Sequence, residues 1–278
     1  MFKDDTYTVD AWYDMMKTAY KHGVNMYDTA EVYGNGQSEE NMGGAIKKGI
    51  EEGVWVREDL VVSTKIFLGS KGFAEGGPNG QGLSRKHISE GTKASLKRMD
   101  LDYVDILFCH RPDPHTPIEE SVRAMNFVIT RLGVLLGHER VAPGRNQRAL
   151  VKFAFTDLYK KYKLSLTTWS PLAFGTLTGK YSASKPDVSR FTTLMFESIA
   201  QGEEFANRLS IAWAVSNEHV STVLVAGSRP SQIEENVKAL EFVSKITPEV
   251  KAKVDAVVKF VPSAPVYDDF PHVRSRHL

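Results

Sequence analysis

A chain of 278 residues, 42% hydrophobic and 25% charged, carries ample apolar material for a core, and its length suits one α/β barrel of roughly 250 residues. With 35 basic and 34 acidic side chains the net charge is +1, which excludes the electrostatic footprint of a nucleic-acid or anionic-membrane binder and favours small-molecule chemistry. Cys109 is the single cysteine, MFKDDTYTVD has no apolar signal core, and no run reaches the roughly 20 apolar residues that cross a bilayer, so the expectation is one cytoplasmic domain over residues 1–278 without membrane insertion.

Short apolar runs alternate with helical stretches. Strands are predicted at Val24 to Thr29, Leu60 to Ile66, Tyr103 to His110, Gly133 to Gly137, Leu164 to Ser170 and Ser221 to Gly227. From Arg85 to Met99, Ile88, Leu96 and Met99 share a helical face behind Ser84, a suitable N-cap. After Pro230, placed for a first helical position, Ile233, Val237 and Leu240 recur at i, i+4 and i+7. Strands separated by helices imply βαβ units and a parallel sheet buried on both faces, as LVVSTKI, VDILFCH and STVLVAG suggest. Polar residues collect at the C-terminal ends of these runs (Asp28, Lys65, His110, Ser170 and Ser228), where barrel enzymes place their chemistry. A doubly wound nucleotide fold would need G-x-G-x-x-G; the nearest pattern, Gly34-Asn35-Gly36 before Gln37, Ser38 and Glu39, lacks the third glycine and reads as a tight loop entering a helix.

Asp28 at a strand end and Tyr33 in the loop above it have the placement of a barrel-top site, although acidic strand ends and loop tyrosines also occur in structural roles. Lys65 ends a strand meant for burial, so its ammonium must be paired or catalytic. His110 alone would read as a hydrogen-bonded structural histidine. Four such residues at the ends of three successive strands can pack around one point, and together they point to a catalytic centre. The eight histidines show no HExxH or Cys/His ligand spacing, so no metal site is expected. Cys109 reads as a small core residue.

YDTAEVYGNGQSEE, STKI, DYVDILFCHRPD, TTWSPLAFGTLTGKY and VAGSRPSQIEEN resemble the aldo-keto reductases, in particular the potassium-channel beta-subunit-like members of fungi, over most of residues 10 to 258. The resemblance implies a (β/α)8 TIM barrel, reduction of aldehydes or ketones with NADPH, and a catalytic tetrad of Asp28, Tyr33, Lys65 and His110. A phenol with an ordinary pKa of about 10 releases its proton reluctantly near neutrality. Lys65 as a cation favours the phenolate, Asp28 keeps Lys65 charged and oriented, and Tyr33 is then the general acid, with His110 helping to stabilise the carbonyl oxygen.

The resemblance further implies an NADP site. Trp169 would lie against the nicotinamide, Ser170, Pro171, Leu172 and Gly175 would wrap the pyrophosphate, and Lys180 and Arg190 match positive positions near the phosphates; without the family, Trp-Ser-Pro is a strand ending in a turn. Gly227, Ser228 and Arg229 precede the Pro230 helix, so helix N–H groups, the dipole and a guanidinium converge where a 2′-phosphate would sit, while Gln232, Glu235 and Asn236 match adenosine-facing positions. A capped helix with solvated polar residues is the plain alternative. Gly76, Gly77, Gly80 and Gly82 form a flexible rim loop after the Lys65 strand.

Three departures from the family pattern accompany the match. The first barrel strand is missing, the region of the fifth and sixth strands (130–150) does not match, and a helix between Arg190 and Phe205 is shortened. The expected architecture is therefore an incomplete barrel of about six strands with a flexible tail at 262–278. The function the resemblance implies is that of an NADP-dependent oxidoreductase acting on a small carbonyl substrate, or alternatively of a cofactor-binding regulatory subunit with little turnover, in either case open to homo-oligomer or channel-subunit association.

Overall fold

A computed structural model describes residues 7–72, 75–139, 161, 166–172 and 207–257. The chain divides into two compact units, the first containing every described residue up to 139 and the second those from 161 onward.

The first unit opens with α1 (Val9–Lys21), capped by the Thr8 hydroxyl, which accepts from Ala11 N at 3.2 Å. The chain continues through β1 (Met26–Asp28), α2 (Gln37–Glu51), β2 (Val61–Ile66), α3 (Arg85–Met99), β3 (Val104–Cys109), α4 (Ile118–Arg131) and β4 (Val134–Glu139). The four strands form one parallel sheet in the order β1-β2-β3-β4, so α2, α3 and α4 are each a crossover between neighbouring strands, as the alternating pattern predicts.

Strand ends differ from the predicted runs for local reasons. Gly133 adopts φ 68°, which keeps it out of β4, while the ladder with β3 extends to Cys109↔Glu139 and lengthens that strand beyond Gly137. α3 has the predicted bounds, and the Ser84 hydroxyl accepts from His87 N at 3.2 Å. Its buried face holds Ile88 and Met99 together with the small residues Gly91, Thr92 and Ser95, whereas Leu96 is only half-buried. Small residues allow close approach: a side chain at Gly43 on α2 would fall into the backbone of Met99, and one at Gly49 into the Trp55 ring.

The second unit contains β5 (Leu166–Trp169), α5 (Asn207–Val215), β6 (Val220–Leu224), α6 (Pro230–Val237) and α7 (Pro248–Val257), with β5 and β6 paired in parallel. Ser170 has φ 53°, which ends β5 one residue earlier than expected. Pro230 occupies the start of α6 as predicted. After Val237 the chain tightens into 3-10 turns over Lys238–Lys245. The tighter winding, with three residues per turn, rotates Leu240 off the apolar face; it is 51% exposed and Ala239 is buried in its place. Among the described residues no helix is long and apolar enough to cross a membrane.

Tyr27 fastens β1 to the end of α1: its hydroxyl lies 3.0 Å from both Met16 O and Val24 O. Burial, with a smaller push from Tyr20, raises the phenol above the ordinary tyrosine range. The folded state therefore keeps this proton at pH values where the unfolded chain, with a phenol pKa of about 10, has lost it, so stability falls as pH rises above that value. Tyr27→Phe is expected to lower stability at neutral pH by about 1 kcal/mol and to flatten its decline between about pH 10 and 11, as read by urea denaturation.

Candidate active site

The parallel ladder of the first unit brings the predicted catalytic residues together. Asp28 pairs with Ser63 at the end of β1, and β2 runs on to Lys65, whose backbone partner is Phe108 in β3. The two-residue alternation of a strand puts Ser63 and Lys65 on the face shared with Asp28, and Val62 and Thr64 on the other. His110 follows β3 directly, its N–H donating to Ile66 O at 3.0 Å.

Tyr33 reaches the same place by a loop. Thr29 N and Glu31 N continue the ladder onto Ser63 O (2.9 Å) and Lys65 O (3.2 Å). A turn over Tyr33–Gly36 then leads into α2, with Gly34, Asn35 and Gly36 at φ 59°, 55° and 95°. Glycine and asparagine are the residues that enter this left-handed region most readily, which accounts for the GNG motif.

Lys65 is 1% exposed. Its ammonium donates to Asp28 Oδ2 and to the Thr29 carbonyl, and the Ser63 hydroxyl donates to the other Asp28 oxygen at 2.6 Å. Nζ lies 4.8 Å from the centroid of the Tyr33 ring. The His110 ring meets Tyr33 edge-on, with centroids 5.8 Å apart and planes at 82°. All four expected residues thus converge. A fixed cation, a phenol and an imidazole around one point can stabilise negative charge on an oxygen and deliver a proton to it.

Sequence reading missed the residues that hold this group. Ser63 was accessible through the i, i+2 relation to Lys65. Glu39, fully buried on α2, accepts from Thr64 Oγ1 and from Arg98 Nε, each at 2.6 Å, and so braces the outer face of β2. Glu31, buried and lying in sequence between Asp28 and Tyr33, accepts from backbone N–H groups beyond Lys65.

In the second unit Trp169 ends β5, with Ser170, Pro171 and Leu172 in the turn that follows. Gly227, Ser228 and Arg229 join β6 to α6, with Arg229 at the N-cap. A Cβ on Gly227 would lie 3.0 Å from Ile233 Cδ1 and 3.1 Å from Gln232 Cβ, so glycine allows the chain to pass this close to the helix start. Ser228 and Arg229 are exposed. Ser228 N donates to Gln232 Oε1 at 2.7 Å. An exposed guanidinium beside a helix N-terminus suits a phosphate group.

Glu235 bonds Arg208 Nε at 2.7 Å, which holds its carboxyl below the usual carboxylate range, and Lys238 lies 3.6 Å away. Asn236, 4% exposed, donates to Ala226 O at 3.3 Å. Gly175, Lys180 and Arg190 lie outside the described residues.

The profile of the Aldo/keto reductase family matches residues 2–131 and 145–259, and the chain belongs to that family. It is 42% identical over 292 aligned residues to "Probable voltage-gated potassium channel subunit beta" of Arabidopsis thaliana, covering 88% of this chain and 86% of that protein. A Schizosaccharomyces pombe protein with a voltage-gated potassium channel subunit beta name is 35% identical over 310 residues, covering 94% of this chain and 88% of the relative. A crystal structure of an aldo-keto reductase from Klebsiella pneumoniae in complex with NADPH matches with a TM-score of 0.66 at 17% identity, over 95% of this chain and 91% of that one. The expected fold class is met: parallel strands joined by helices, with sheets that do not close into a barrel among the described residues. The profile also breaks where the sequence match was expected to fail, between 131 and 145.

Removing the counter-charge of a buried cation leaves it uncompensated. Asp28→Asn is expected to destabilise the protein by about 3–5 kcal/mol, and the double variant Asp28→Asn with Lys65→Met to recover most of that loss, in a double-mutant cycle measured by urea denaturation.

Proposed function

We propose that the protein is an NADP-dependent oxidoreductase that reduces aldehydes or ketones to alcohols, with Tyr33 as the general acid. The observation that carries this reading is Lys65, buried against Asp28 and the Thr29 carbonyl, with the Tyr33 ring beside its ammonium and His110 edge-on to that ring. NADPH, when bound, supplies hydride to the carbonyl carbon. Negative charge then grows on the carbonyl oxygen; Tyr33 donates its proton to that oxygen and His110 stabilises it, while Asp28 keeps Lys65 oriented.

The cofactor residues are drawn from the second unit. Ser228 and Arg229 at the start of α6 would hold the 2′-phosphate, with Gly227 granting close backbone approach. Gln232, which accepts from Ser228 N, would exchange that bond when phosphate arrives. Trp169, Ser170, Pro171 and Leu172, with Gly175, Lys180 and Arg190, would line the nicotinamide and pyrophosphate, and Glu235 and Asn236 the adenosine. Cys109, the single cysteine of the chain, is buried and forms no disulfide, which accords with a reducing, cytoplasmic setting.

A second reading is a cofactor-binding regulatory subunit with little turnover and an association with a channel or with other copies of the chain, favoured by the names of the plant and fungal relatives.

Purified protein is expected to oxidise NADPH in the presence of an aromatic aldehyde, followed by absorbance. Tyr33→Phe should lower kcat by about a hundredfold or more while leaving NADPH affinity unchanged. Arg229→Ala should weaken NADPH by about tenfold relative to NADH. NADPH binding without turnover in the parent protein would establish the regulatory reading, and absence of binding would overturn both.

A further inference from the structure

We infer that Glu31 and His87 form a buried brace that locates the Lys65 end of β2 beneath Tyr33, making Glu31 a positioning residue of the proton-transfer site. Glu31 is 1% exposed and His87 5%. One carboxylate oxygen, Oε1, accepts from Phe67 N at 2.7 Å and Gly69 N at 2.8 Å, and His87 Nε2 stands 3.1 Å away. The backbone N–H of Glu31 donates to Lys65 O at 3.2 Å. Glu31 therefore grips Lys65 through its main chain and the residues just beyond Lys65 through its side chain.

The carbonyls of this stretch are held as well. Phe67 O accepts from Gly82 N at 2.7 Å, and Leu68 O from Gln81 Nε2 at 3.1 Å. α3 presses on the brace at two points one turn apart. One is His87. The other is Gly91, where a Cβ would lie 3.2 Å from Glu31 Oε2 and from Ile66 Cδ1.

A buried carboxylate is expensive, and apolar residues of similar volume often stabilise such a position as well or better. What a carboxylate provides and an apolar side chain does not is directional acceptance of several N–H groups at once. Here those groups follow Lys65 directly along the chain, and Glu31 itself lies between Asp28 and Tyr33 in sequence. The brace thus ties the segment carrying the phenol to the strand end carrying the ammonium, and sets the separation between them.

The activity part of the test rests on the reductase reading; the titration part does not. Full-length protein carrying 13Cζ-tyrosine is titrated by NMR, with Tyr33 assigned from Tyr33→Phe. Glu31→Met, which keeps length but loses the acceptors, is expected to move the Tyr33 midpoint upward by about half a pH unit or more, because Lys65 is released from the ring. Glu31→Gln, which keeps an acceptor oxygen, restores most of the parent midpoint. His87→Leu, which leaves the backbone bonds in place, shifts it in the same direction by less and serves if Glu31→Met does not fold.

In aldehyde reduction Glu31→Met should lower kcat by about tenfold with KM changed less than about twofold. An unchanged Tyr33 midpoint in a folded variant would overturn the brace. So would a downward shift, which is the effect of simply deleting a nearby negative charge. A parent protein that does not turn over would sink the reductase reading while the titration still decides the role of Glu31.

Discussion

The Lys65 ammonium, 1% exposed at the end of a parallel strand, is the constraint on which the first unit depends. A cation in that position must be compensated or it destabilises the fold by several kcal/mol. Compensation comes from Asp28 across the ladder and from the Thr29 carbonyl just after it. Both partners reach it because β1 and β2 are parallel with Asp28 opposite Ser63, a register in which the two strands end at the same edge of the sheet. The same register places Ser63 to hold the second oxygen of Asp28 and sends the chain upward to Tyr33.

Around this pair the polar interior is arranged in two layers. On the inner face are Asp28, Ser63 and Lys65, beside Tyr33 and His110. On the outer face Glu39 takes Thr64 and Arg98, while Glu31 takes backbone N–H groups and His87. Gly91 lets α3 come close to Ile66 at the end of β2 and to the Glu31 carboxylate, and Gly43 lets α2 approach the backbone at the end of α3. The second unit uses a different device. There the strand-to-helix junction at Gly227, Ser228 and Arg229 leaves Ser228 and Arg229 exposed at the N-terminus of α6, an arrangement that suits an anion.

Much of the first unit was legible in the chain itself. LVVSTKI and VDILFCH read as strands because continuous apolar runs have few alternatives once helices flank them, and both are strands within a residue or two. Boundaries were less legible, since they depend on backbone conformations that side-chain pattern does not report. Ser170 and Gly133 leave the extended region through positive φ, and Leu240 leaves its expected face because α6 tightens into 3-10 turns. Asp28, Tyr33, Lys65 and His110, which the structure brings together, were legible because they sit in recognisable motifs. Glu31, Glu39 and Arg98 were not, because a charged side chain in an amphipathic segment looks the same whether it faces water or a buried partner; Ser63 was signalled only by its i, i+2 relation to Lys65.

The sequence by itself determined the family, the alternation of strands and helices, and the identity of the four residues that converge, since motif and periodicity are local properties of a chain. Only the tertiary structure decided which groups surround them. That Lys65 is satisfied by Asp28 and a main-chain carbonyl, that Ser63 orients Asp28, and that Glu31 reaches across to Phe67, Gly69 and His87 are facts of strand register and helix docking. These contacts join residues 35 to 56 positions apart, and the energy of such a contact depends on burial and direction, which exist only once the sheet has formed.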